Sequence, residues 1–234
     1  MPLYVDPSPQ QTLINRRWTI AALLFLAGLI NYFDRTIVSV ALPVIAADLQ
    51  LGPARMGILL SAFFWSYALM QVPIGWLSDR YNVRWLYAGC FALWSLTCGL
   101  TGFASSLGVM VVLRVLLGIG QSIYLPGGMK LVSVVFSPND RGLASGLVNC
   151  GTRAGLAFGA PLIAGLVVAF GWKNTFFILG FVPLIWLAPW MMAFPRGAST
   201  VTHASGKGNW TLSKVDRNLL GMSLAHIGYG YISI

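Results

Sequence analysis

Apolar residues fall into six long stretches separated by short polar turns: Trp18 to Ala47, Met56 to Leu77, Trp85 to Phe103, Val109 to Phe136, Leu143 to Phe170 and Thr175 to Phe194. Each is long enough for the roughly 20 residues a helix needs to cross a hydrocarbon core of about 30 Å, so six transmembrane helices are predicted. The turns, at residues 48–55, 78–84, 104–108, 137–141 and 171–174, leave no room for a soluble domain between spans. A longer Gly/Ser/Thr-rich basic connection at 196–217 reads as a flexible cytoplasmic linker. A seventh apolar stretch begins near Asn218 and runs to Ile234. The expected organisation is a cytoplasmic tail at 1–17, a six-helix bundle at 18–195, the linker at 196–217 and the start of a seventh helix at 218–234, as in the front part of a longer chain. The expected fold class is an all-α membrane protein.

Composition agrees with that pattern. Hydrophobic residues make up 57% of the 234, charged residues 9%, and Glu is absent, against about 25% charged in soluble domains. Mean hydropathy is +0.74. Basic residues set the orientation, because cytoplasmic loops beside membrane helices carry the excess of Lys and Arg. Alternate loops hold nine (Arg16, Arg17, Arg80, Arg84, Arg141, Arg196, Lys207, Lys214, Arg217) against two (Arg55, Lys173), which places the N-terminus inside. The formal charge of +9 therefore needs no nucleic-acid partner. The first stretch is too long for a cleaved signal peptide. Cys90, Cys98 and Cys150 lie inside spans with no CxxC pair or nearby His, so they read as small buried hydrophobes, with no metal or cofactor implied.

Ionisable groups inside spans cost about 2.5–3.5 kcal/mol each on insertion scales and point to function. Five occur here: Asp34 and Arg35 in the first span, Arg114 and Lys130 in the fourth, Arg153 in the fifth. Four positive charges against one negative favour an anion in any cavity they line. Asn31, Asp34 and Arg35 share a helical face at i, i+3 and i+4; Arg114 and Gln121 share one two turns apart; Asn149 and Arg153 repeat the i, i+4 relation. Three polar stripes on three helices suit a binding site at the bundle midplane. The competing reading is a neutralising Asp34–Arg114 pair, with Lys130 and Arg153 snorkelling to an aqueous end.

Glycines punctuate the fourth and fifth spans. Gly151, Gly155 and Gly159 form a GxxxGxxxG stripe, the signature of close helix packing in membranes. Gly118 and Gly120 lie inside a span with no following Lys-Ser/Thr, so they are no nucleotide loop. With no phosphate cradle, any pumping must draw on an ion gradient.

The segment Gly75-Trp-Leu-Ser-Asp79-Arg80-Tyr-Asn-Val-Arg84 resembles the loop motif G-x-L-x-D-R-x-G-R-K/R that follows the second helix of major facilitator superfamily transporters. Asn82 replaces the usual Gly and Val83 the usual basic residue; Asn tolerates the left-handed backbone, so the turn is expected to survive. The resemblance implies a gating role for Gly75, Asp79, Arg80 and Arg84, with Arg141 in the corresponding later loop as a partner. More narrowly, Asn31 to Arg35, Ser66-Tyr67 to Pro73, and Arg114 with Gly118 to Pro126 are similar to the anion:cation symporter family of sugar-acid and organic-anion carriers. That resemblance implies a six-helix N-terminal bundle completed by a C-terminal bundle, with Arg35 meeting a substrate carboxylate. It further implies that Asp34 pairs with Arg114 and takes a proton, and that Tyr67 and Asn149 line the cavity. Many members carry Glu where this chain has Gln121, which hydrogen-bonds but carries no proton, leaving coupling to Asp34, with His226 as a second candidate.

The expected function is secondary transport of a small organic anion, a sugar acid or other carboxylate, proton-coupled, by alternating access in a bacterial inner membrane. Substrate contacts are assigned to Arg35, Tyr67, Gln121, Asn149 and Arg153. The alternatives are an organophosphate or drug carrier and a non-transporting membrane sensor. An enzyme is not expected: the spans hold no Ser/His pair, HExxH or paired acids.

Overall fold

The computed structural model describes residues 9–194, and among these every regular element is a helix. The N-terminal residues 1–8, the linker, the seventh apolar stretch and His226 lie outside the described residues. A short α1 (Pro9–Asn15) leads into α2 (Arg17–Asp48), α3 (Pro53–Arg80) and α4 (Val83–Leu100) with a 3-10 turn at Thr101–Phe103. Then come α5 (Leu107–Gln121), α6 (Tyr124–Val135), α7 (Arg141–Phe181), a 3-10 segment at Val182–Trp186, and α8 (Leu187–Ala193). The ranges Arg17–Asp48, Pro53–Arg80, Val83–Phe103, Leu107–Val135 and Arg141–Ala193 are each long and apolar enough to cross a membrane.

The last of these is two spans. At Gly171 φ is 78° and ψ 161°, a region open to glycine and strained for any residue with a Cβ, and the chain turns back there. Before the break α7 runs alongside α2 in the same direction: Gly151 packs on Phe25, Gly155 on Leu29 and Tyr32, Gly159 on Phe33 and Thr36. After it the chain descends α2 in reverse. Trp172 Nε1 donates to Asp48 Oδ2 at 2.7 Å, Trp186 Nε1 to Leu23 O at 2.9 Å, and Arg16 to Met192 O. The GxxxGxxxG stripe is thus the seam between α2 and the first half of α7. A Cβ at Gly155 would sit 2.7 Å from Tyr32 Cβ and 2.8 Å from Leu29 O.

The fourth predicted span is broken at Ser122 and Ile123. Pro126 has no N–H for the carbonyl of Ser122, and its ring crowds that carbonyl, so α5 ends at Gln121. Gly118 and Gly120 on α5 each face a different neighbour. A Cβ at Gly118 would collide with Ser66 and lie 2.7 Å from Phe63 O; one at Gly120 would lie 2.9 Å from Cys90 O. These two glycines let α5 wedge between α3 and α4.

The Gly75–Arg84 motif is less of a loop than its sequence suggests. Helix α3 continues to Arg80 and α4 starts at Val83, so the turn is Tyr81 and Asn82 alone. Asn82 is extended (φ −66°, ψ 113°), and its side chain caps α4 by accepting from Arg84 N at 3.1 Å. The expectation of a left-handed residue here is corrected: an N-cap uses β-region backbone and favours Asn. Among the described residues the left-handed non-glycine residue is Gln50 (φ 51°), where Leu51 N donates to Ala46 O at 2.9 Å and closes the end of α2.

Candidate functional site

Midway along the bundle, α2 presents Asn31, Asp34 and Arg35 on one face, as the spacing predicts, and neighbouring helices take the last two in different directions. Asp34, 1% exposed, turns toward α4 and α5. Its Oδ1 accepts from Cys98 Sγ at 3.2 Å and its Oδ2 from Gln121 Nε2 at 3.4 Å. Arg35 turns toward α3, where its Cζ lies 4.5 Å from the Tyr67 ring centroid, 5.2 Å from Phe63 and 5.4 Å from its own-helix neighbour Tyr32. Three rings around one guanidinium hold it by its faces, each such contact contributing about 0.5–2 kcal/mol depending on desolvation. Its Nε donates to Gln121 Oε1 at 3.4 Å, and no other hydrogen bond reaches it among the described residues.

Gln121 therefore stands between the acid and the base. Its amide accepts from Arg35 and donates to Asp34 and to Asn31 O, the last at 3.5 Å. An ionised Glu here could accept from Arg35 but could not donate to a carboxylate; only a protonated one could serve both. The amide fills that role without a proton. The break after Gln121 ends α5 at the depth of Asp34, and Gly118 brings the α3 turn bearing Phe63 and Tyr67 against α5.

Arg114 and Asp34 interact as opposite charges without direct contact. No ion pair joins them within 4.0 Å among the described residues. The carboxylate oxygens are turned to Cys98 and Gln121, while Arg114, 3% exposed, leaves its Nε and Nη2 without a hydrogen-bond partner. It lines a cleft between α2, α3 and α5 together with Arg35, Ser39, Leu59, Leu60 and Phe63.

The fifth-span pair sits elsewhere. Asn149 and Arg153 are exposed; Asn149 Nδ2 donates to Ser145 O at 2.9 Å, and Arg153 makes no hydrogen bond or ion pair among the described residues. The glycine stripe packs α7 onto α2, and the cleft beside Arg35 is lined from α2, α3 and α5. Cys98 is buried, as its place in a span predicts, and also donates to Asp34; with 64 residues between them, nothing in sequence spacing signals that bond. Phe63 was also missed, although Phe63 and Tyr67 stand at i, i+4.

At the end of the bundle holding the motif, the charges disperse. Asp79 pairs with Lys130 at 2.7 Å and Asp140 with Arg17 at 3.5 Å. Arg80 lies 4.0 Å from the Trp76 ring, and Arg84 donates to Met191 O at 3.1 Å. Arg141 donates to Ser133 O and Phe136 O, so the expected contact of Arg141 with Asp79 or Arg80 is absent among the described residues. Lys130 is held by Asp79 on α3 rather than reaching freely for water.

The model of the Major Facilitator Superfamily matches residues 24–233. Among curated proteins, the chain is 32% identical over 184 residues to the "Probable galactarate/D-glucarate transporter GarP" of Escherichia coli K12, covering 76% of this chain and 41% of that protein. It is 35% identical over 167 residues to the "Hexuronate transporter" of Bacillus subtilis strain 168, covering 71% and 40%. The chain thus spans about two fifths of the length of these relatives. Among solved structures it resembles an inward-facing, occupied bacterial homologue of the human lysosomal transporter Spinster, with a TM-score of 0.70 at 24% identity over 78% of this chain and 46% of that one.

Proposed function

We propose, for a chain that belongs to the Major Facilitator Superfamily, a secondary carrier that moves a small organic anion, a sugar acid or another carboxylate, across a bacterial inner membrane. The chain is an integral membrane protein whose relatives are named as transporters of galactarate, glucarate and hexuronate. The observation that carries the reading is Arg35: a guanidinium at mid-membrane depth, held by three aromatic faces and one amide, with no carboxylate of its own. A positive charge so placed costs free energy until an anion meets it, and its terminal nitrogens point to a carboxylate as that anion.

The six-helix bundle forms one wall of the transport path and rocks against a second bundle, with the N-terminus cytoplasmic. Asn149 and Arg153, exposed on α7, face that second bundle. Asp34 is the proton carrier: it is the one acid inside the described spans at this depth, and it reaches Arg35 through Gln121. Protonation weakens its hold on the Gln121 amide, which frees Gln121 and Arg35 for substrate. Because Gln121 carries no proton, one proton at Asp34 accompanies each substrate.

The test is uptake of a labelled sugar acid into proteoliposomes containing the natural gene product, under an imposed pH gradient. Accumulation driven by the gradient, its loss in Arg35→Gln, and its replacement by gradient-independent exchange in Asp34→Asn are the expected results. Full pH-driven accumulation by Asp34→Asn rules out the coupling assignment. Unimpaired uptake by Arg35→Gln rules out the substrate site.

A further inference from the structure

We infer that the coupling proton enters Asp34 on the oxygen that faces Cys98, and that the thiol holds it there by turning from hydrogen-bond donor to acceptor. The inference rests on the carrier reading above and adds Cys98 to its coupling step as a positioning residue.

Both carboxylate oxygens of Asp34 are occupied by donors: Cys98 Sγ lies 3.2 Å from Oδ1 and Gln121 Nε2 3.4 Å from Oδ2. A protonated acid carries an O–H that must find an acceptor, or a buried donor is left unsatisfied. At Oδ2 there is none, because an amide nitrogen only donates. Nor can the amide turn over to offer its oxygen instead. Gln121 Oε1 accepts from Arg35 Nε at 3.4 Å, and Gln121 Nε2 also donates to Asn31 O at 3.5 Å. The first of these neighbours only donates and the second only accepts, so exchanging oxygen and nitrogen would break both bonds.

At Oδ1 the partner is reversible. A thiol is a weak donor and a weak acceptor, and rotation about Cβ–Sγ swings its hydrogen away and presents a sulfur lone pair. Oδ1 then takes a proton of aqueous origin and donates it to Cys98 Sγ as a hydrogen bond, while the S–H bond stays intact. Oδ2 becomes the carbonyl oxygen of the neutral acid and still accepts from Gln121, more weakly than a carboxylate does. The charged groups acting on Asp34 are Arg35 on its own helix and Arg114 on α5, and a guanidinium offers no acceptor. The side chain of Asn31, one turn away, bonds neither oxygen. Asp34 and Cys98 are each 1% exposed, so bulk water does not compete for the bond.

Acid-minus-base infrared difference spectra of the natural gene product in liposomes provide the first readout, because the S–H stretch lies apart from other protein bands and shifts when the thiol stops donating. We expect such a shift in the parent, absent in Cys98→Ala and in Asp34→Asn. The second readout is accumulation of a labelled sugar acid by proteoliposomes under an imposed pH gradient. Cys98→Ala, with neither donor nor acceptor, is expected to accumulate about tenfold less, the effect of one lost hydrogen bond to a charged group. Cys98→Ser, whose hydroxyl both donates and accepts, should keep most of the accumulation. An unshifted S–H band in a protein whose accumulation still requires Asp34 overturns the inference and leaves the carrier reading standing. Full pH-driven accumulation by Asp34→Asn overturns the coupling assignment and this inference with it. Equal losses in Cys98→Ala and Cys98→Ser show that Cys98 only fills space, which also overturns the inference. Should Cys98→Ala fail to fold, the band of the parent against that of Asp34→Asn, with accumulation by Cys98→Ser, decides the matter alone.

Discussion

The thiol of Cys98 donates to Oδ1 of Asp34 at 3.2 Å, joining α4 to α2 through a buried pair 64 residues apart in sequence. The bond occupies one oxygen of the acid assigned to proton transfer, and Gln121 occupies the other. Replacement by Cys98→Ala leaves Oδ1 buried without a donor and is expected to lower stability by about 1–3 kcal/mol. Cys98→Ser keeps a donor and should lose less than half of that. Unfolding followed by tryptophan fluorescence in detergent checks both, and equal losses in the two variants would show that packing rather than the bond matters.

The α2–α7 seam makes a sharper steric prediction. A Cβ at Gly151 would run into the backbone carbonyl of Phe25, which cannot move aside as a flexible side chain would. Gly151→Ala is expected to cost about 1–3 kcal/mol, the range for overpacking. Gly146 lies on the same helix with nothing within 4 Å of a Cβ, so Gly146→Ala should be neutral or stabilising by up to about 1 kcal/mol. Thermal midpoints of the two variants should fall on opposite sides of the parent or differ by several degrees.

At Gly171 the constraint is conformational. Its surroundings are open, with nothing within 4 Å of a Cβ, yet φ is 78°. Gly171→Ala is therefore expected to destabilise by about 1–3 kcal/mol through backbone strain alone. Loss of the turn back along α2 would be reported by the Trp172–Asp48 contact, so a shift in tryptophan emission should accompany the change. A variant as stable as the parent would show that the turn tolerates a different backbone.

Asn82 works as an N-cap for α4. Asn82→Ala should cost about 0.5–2 kcal/mol and Asn82→Gly only a few tenths. Had this position needed a left-handed backbone, Asn82→Gly would stabilise instead, and the denaturation midpoints separate the two.

The apolar helices and the packing role of Gly151, Gly155 and Gly159 were legible in the sequence, because burial in lipid is a local and nearly additive property of consecutive residues. The break after Gln121 was only half legible. Pro126 marks it, but the effect on Gln121 depends on what packs around the freed turn. That Asp34 and Arg114 lie near enough to interact was legible as opposite charges on neighbouring spans, but that Cys98 and Gln121 take the carboxylate oxygens was not.

Which groups meet was decided by helix rotation and approach. Gly118 and Gly120 set how closely α5 wedges between α3 and α4; that wedge turns Asp34 to Cys98 and Gln121, and Arg35 to Tyr67 and Phe63. The glycine stripe likewise fixes α7 with Asn149 and Arg153 on its exposed side. Hydrophobicity along the chain determined that these helices exist and where along them their charges fall. Only their packing determined the partners, because a hydrogen bond is made within about 3.5 Å and a few ångströms of helix rotation exchange one partner for another.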